Sequence, residues 1–188
     1  MLLQVIIVST RQGRLGPAVA DWFHRQAQAF DGFDVELVDL ADVNLPLLDE
    51  PHHPRLANYQ HEHTKRWSAI VSRADAFVFV TPEYNFSTPP SLVNALDYLL
   101  KEWAYKPAAF VSYGGISGGM RSVMMTKSIL TTLRMVPILE AVNLPMFAQQ
   151  IDRTTGEFNA TDVNAKAADA MLKELHKWAG ALREMRNQ

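Results

Sequence analysis

The chain has 188 residues, 48% hydrophobic and 20% charged, with a formal net charge of −2. That balance suits one globular domain, 1–188, with a sizeable core, and it excludes the basic footprint of a nucleic-acid binder and any charged tail. There is no cysteine, which excludes disulfides, thiolate chemistry and Cys-ligated metal or iron–sulfur centres, so any redox chemistry must come from a bound cofactor.

Leu3 to Val8 reads as a buried strand. It opens without a basic region or a small-residue cleavage site, and no apolar run is long enough to span a bilayer, so a cytoplasmic protein is expected. After a turn-like Ser9 to Gly16, Val19, Ala20, Trp22, Phe23, Ala27 and Phe30 follow a helical period from Pro17. Phe33 to Leu40 is a second strand, Asp49 to Tyr59 a Pro- and His-rich loop, and Glu62 to Arg73 a helix. Ala76 to Val80 is a third strand. Pro89-Pro90 then opens a helix that is apolar around much of its circumference as far as Trp103.

Ala108 to Tyr113 makes a fourth strand and Ser117 to Met135 a helix. Val136 to Leu139 and Val142 to Met146 offer a short, interrupted fifth strand. Asp162 to Arg186 closes the chain as a helix capped by Thr161 or Asp162. Strands alternating with helices imply an α/β fold with a parallel sheet covered on both faces, and a ligand beyond the strands' carboxyl ends. The segments after Val8, Val80 and Val111 are therefore the places to look.

All three are unusual. The first, Ser9 to Pro17, runs from strand to helix and carries Ser9, Arg11, Gly13, Arg14, Leu15, Gly16 and Pro17. Hydroxyl, guanidinium and helix-terminal N–H donors suit a phosphate, and the absence of a Gly-x-Gly-x-x-Gly or Gly-Lys-Ser/Thr pattern favours a terminal monophosphate. A solvated surface turn is the alternative. The second, Thr81 to Pro90, exceeds the ~2–6 residues a βα connection needs and brings Pro82, Glu83, Tyr84, Asn85 and Phe86. Its aromatics offer a wall for a planar ring, or pack on neighbouring helices. The third, Ser112, Tyr113, Gly114, Gly115, Ile116 and Ser117 to Gly119, lets main chain approach a ligand closely.

The chain resembles the NADPH-dependent FMN reductase family. Ser9, Arg11 and Gly13 match its phosphate loop, and Gly13-Arg14-Leu15-Gly16 fits one branch of it. The stronger match is Thr81-Pro82-Glu83-Tyr84-Asn85 followed by Ser87, Pro89 and Asn94 to Asp97, with Ser112, Gly114 to Gly119 and Arg121 resembling the third flavin loop. The resemblance implies a flavodoxin-like three-layer α/β/α sandwich with a five-stranded parallel sheet ordered 2-1-3-4-5. It also implies bound FMN and NADPH or NADH as co-substrate. Ping-pong hydride transfer would run through flavin N5 to small acceptors such as quinones, free flavins, azo compounds or metal oxyanions. No side-chain acid or base is required, although Tyr84 or Glu83 is placed to assist.

An electron-transfer flavodoxin would be strongly acidic, which this chain is not; a flavin-dependent regulatory binding protein stays open. The apolar surplus from Leu92 to Trp103 suggests a homodimer or homotetramer. His52, His53, His61 and His63 read as a solvated loop or subunit contact rather than a metal site, because His-x-His on a helix points to different sides. Met120, Met124, Met125 and Met135 read as interface or core.

Overall fold

The structure, a computed structural model, describes residues 1–186. One five-stranded sheet is formed by β1 (Leu2–Ile7), β2 (Asp34–Asp39), β3 (Ala76–Pro82), β4 (Pro107–Tyr113) and β5 (Val136–Leu144). All pairings are parallel and the order is 2-1-3-4-5, as expected. Every residue of β3 and β4 is buried, which is why these strands read as unbroken apolar runs rather than alternating ones. Side chains still alternate between two cores. Val5, Val78 and Val111 face α1 (Gly16–Gln28) and α6 (Asp162–Arg186). Ile6, Phe77, Phe79 and Phe110 face the side covered by α3 (Glu62–Arg73), α4 (Pro90–Asp97) and α5 (Met120–Thr132).

Several boundaries differ from expectation. A short helix α2 (Leu40–Val43), capped by the Asp39 carboxylate on the Ala41 N–H, follows β2. Helix α4 stops at Asp97, and the chain then folds back so that Tyr98, Leu99 and Trp103 enter the core beside Leu92 and Leu96. There the Trp67 and Trp103 indoles reach carbonyls of Ala95 and Leu96. Much of the apolar surplus of this segment is thus buried within the chain. Strand β5 is a single nine-residue strand. A register shift between Ala108 and Phe110 absorbs the break seen in sequence at Glu140-Ala141, as a bulge does. Helix α5 begins at Met120, after Gly118 and Gly119 turn the chain with φ of 59° and 85°. The α6 cap is Thr161, which exchanges hydrogen bonds with Asn164.

The His-x-His expectation needs correction. His61 precedes α3 in extended backbone while His63 lies inside it, so their rings stack 5.2 Å apart instead of diverging. Both meet Asp49, whose carboxylate lies 2.9 Å from His63 Nε2 and accepts the Tyr98 hydroxyl at 2.9 Å. These bonds fasten the loop before α3 to the end of α4. No group of three or more potential metal ligands converges among the described residues. No helix among them is long and apolar enough to cross a membrane.

Candidate active site

Sheet order reverses between β1 and β3, and the loops beyond those strand ends meet there. The Ser9 hydroxyl and the Tyr84 phenol lie 2.6 Å apart, joining the first loop to the second. Glu83 joins the second to the third: it accepts from Ser117 Oγ at 3.0 Å, the Arg121 N–H at 3.1 Å and Arg121 Nε at 2.8 Å. Burial opposes its charge, but these donors outweigh it and hold the carboxyl below the usual glutamate range. Glu83 is therefore a brace between the second and third loops.

Within the first loop, Gly13 adopts φ of 69° to close the turn in which the Arg14 N–H bonds Arg11 O at 3.2 Å. Arg14 is not a free cation. Its guanidinium grips both oxygens of Asp39 at 2.6 Å and also donates to Ser9 O at 2.5 Å, so it clasps the loop to the end of β2. Arg11, by contrast, makes no side-chain hydrogen bond or ion pair among the described residues, and it lines the cavity.

The loops enclose a cavity of 390 Å³, within the usual range for small-ligand sites. Of the expected residues, Ser9, Arg11, Arg14, Leu15, Pro82, Glu83, Tyr84, Tyr113, Gly114 and Gly115 line it. Gly13, Gly16, Pro17, Asn85, Phe86, Ser112 and Ser117 do not. Gly16 serves Tyr113, since any side chain at Gly16 would collide with the phenol. Ser112 is buried and bonded to Asn143, and Ser117 braces Glu83.

Two features fit a flavin mononucleotide. The Tyr113 hydroxyl is buried without a hydrogen-bond partner, and burial pushes its pKa up, so it remains a donor awaiting an acceptor. Gly115 lines the cavity, and a Cβ built on it meets no atom within 4 Å; the space there is open to a ligand's flat face.

Residues 1–149 match the sequence family described as NADPH-dependent FMN reductase. The chain belongs to that family. An NAD(P)H-dependent FMN reductase of Schizosaccharomyces pombe is 42% identical over 144 residues, covering 75% of this chain and 72% of its own. Another from Nectria sp is 33% identical over 187 residues, covering 95% and 88%. Among solved structures, the NAD(P)H:(acceptor) oxidoreductase FerB of Paracoccus denitrificans superposes with a TM-score of 0.77 at 21% identity, covering 96% of this chain and 97% of that one. This last likeness concerns the fold.

The residues of this FMN reductase family member that sequence reasoning missed form a fourth segment, Met146 to Gln149, after β5. The Met146 and Phe147 N–H groups bond the Gly115 and Gly114 carbonyls at 2.9 and 3.3 Å, and the Phe147 ring lies 4.7 Å from that of Tyr113. The strand-end rule that singled out the other three loops applies equally after Leu144. Asn143 was missed as well. Its amide bonds the Ser117 and Gly118 carbonyls at 3.2 and 2.8 Å, holding the glycine loop in a shape no side chain at Gly118 would permit.

Proposed function

We propose that this single-domain chain is a cytoplasmic reductase that holds FMN in the cavity, takes reducing equivalents from NADPH or NADH, and passes them to small acceptors such as quinones. The observation that carries this reading is the convergence of four strand-end segments on one cavity with an uncommitted arginine, an unpartnered tyrosine hydroxyl and a glycine floor. When bound, FMN supplies the hydride-accepting ring, and the protein's task is positioning. Arg11 and the N–H groups where β1 turns into α1 would hold the phosphate. The Tyr113 hydroxyl would donate to the flavin's polar atoms. Gly114 and Gly115 would let the backbone approach the ring, while the Glu83–Arg121 brace keeps the loops on either side at fixed separation. Glu83, held by Ser117 and Arg121, forms one half of that brace. We also propose self-association as a homodimer or homotetramer, supported by Met124 and Met125, 64% and 49% exposed on α5.

The test is to titrate purified protein with FMN and with riboflavin, then reduce the loaded form anaerobically with NADPH or NADH. FMN should bind far more tightly than riboflavin and bleach on reduction. Arg11→Ala should weaken FMN by about 10–100-fold, the equivalent of one charge-assisted bond, and leave riboflavin unaffected. Equal loss for both ligands would show that Arg11 does not meet the phosphate.

A further inference from the structure

Phe86 stands in left-handed backbone with φ of 65°, beside Asn85 at 50°. Tyr84 and Ser87 exchange both backbone hydrogen bonds, at 3.0 and 2.9 Å, and so close a two-residue turn. Positive φ at both central residues is the signature of type I′, whose favoured pair is Asn-Gly. Asn85 suits its place; a bulky aromatic at the second place is strained. Core burial does not compensate, for the ring is 67% exposed.

What the ring does touch is the Arg121 guanidinium, 3.7 Å from its centroid. The same guanidinium is tied at 2.8 Å to Glu83, a wall of the cavity. One face of Phe86 is therefore covered by a cation whose charge is already balanced, and the ring is linked through Arg121 to Glu83 in the cavity wall. Ile116, 92% exposed, and Met120 line a shallow depression together with Arg121 and extend this uncharged surface. Backbone strain kept at an exposed position that adds nothing to the core points to a function.

On the reading of this cavity as a flavin site, we propose that Phe86 is a specificity-determining platform that receives flat, uncharged aromatic acceptors as they approach the cavity. A balanced ion pair and an apolar ring reward a planar π-system and give a hydrophilic inorganic anion nothing to bind.

The experiment uses flavin-loaded protein with Phe86→Gly and Phe86→Tyr, and a naphthoquinone and hexacyanoferrate(III) as probes. Affinity for the naphthoquinone is read from perturbation of the oxidised flavin's absorbance. Because Asn-Gly is the turn's preferred pair, Phe86→Gly should hold or raise Tm while weakening the naphthoquinone by about fivefold. The ratio of its kcat/KM to that of hexacyanoferrate should fall in step, and Phe86→Tyr should restore both. Unchanged naphthoquinone affinity in Phe86→Gly overturns the proposal. So does a lower Tm or an altered oligomeric mass, which would make the ring a fold element or a subunit contact. Wild-type protein that takes up no flavin would instead sink the underlying reductase reading, and this proposal with it.

Discussion

The Arg14–Asp39 clasp gives the sharpest energetic test of the site's architecture. Asp39→Asn keeps the side chain's shape and its capping bond to Ala41 but removes the charge facing Arg14. The contact is two-pronged at 2.6 Å, and the side chains are only 19% and 16% exposed. Charge-assisted hydrogen bonds of this kind contribute about 1.5–3 kcal/mol, whereas a fully solvated pair contributes about 0–1. Discounting for the remaining solvent contact places the loss at about 2 kcal/mol. For a chain of this size that corresponds to a fall in Tm of roughly 4–8 °C. The assay is urea unfolding of ligand-free protein followed by tryptophan fluorescence, run as a double-mutant cycle with Arg14→Met. A coupling of about 1.5 kcal/mol or more is expected, with looser FMN binding in both single variants because Arg14 also holds Ser9 O. A coupling below about 0.5 kcal/mol, the solvated-pair range, would refute the clasp.

Three further outcomes follow from single residues. Gly115→Val should lower FMN affinity at least tenfold by fluorescence titration while leaving the unfolding midpoint of ligand-free protein unchanged, because its Cβ meets only open space. Tyr113→Phe should stabilise ligand-free protein by about 1 kcal/mol, since it removes an unsatisfied buried hydroxyl, yet weaken FMN; a loss in both measurements would mean the hydroxyl already has a partner. Lys106 is buried, donates to the Val71 and Ser72 carbonyls, and has its pKa lowered by burial to about 8. Between about pH 8 and its unfolded value the unfolded chain binds more protons, so Lys106 makes stability rise with pH across that window. Lys106→Met should flatten the rise in urea midpoints measured between pH 7.5 and 9.5.

The strand and helix alternation was legible because β3 and β4 are buried on both faces and so must be apolar throughout. Sheet order came through the family resemblance, whereas the three candidate loops came from the strand-end rule, and Ser9, Tyr84 and Gly115 met around the cavity there. Local sequence also carried the Thr161 cap and the helix that starts beside Pro17.

Other features needed the tertiary structure, because they depend on partners distant in sequence. Composition alone makes Arg14 a phosphate ligand; only the arrival of Asp39, 25 residues later, turns it into a clasp. Period alone does not say where the apolar excess of Leu92 to Trp103 goes; the chain's reversal after Asp97 carries Tyr98, Leu99 and Trp103 into the core. Helical geometry separates His61 from His63 only if both are helical, and the first is not. Residue type and period report what each side chain can do and which local conformation suits it; which neighbour takes up its donors, charge or surface is set by packing between elements far apart in the chain.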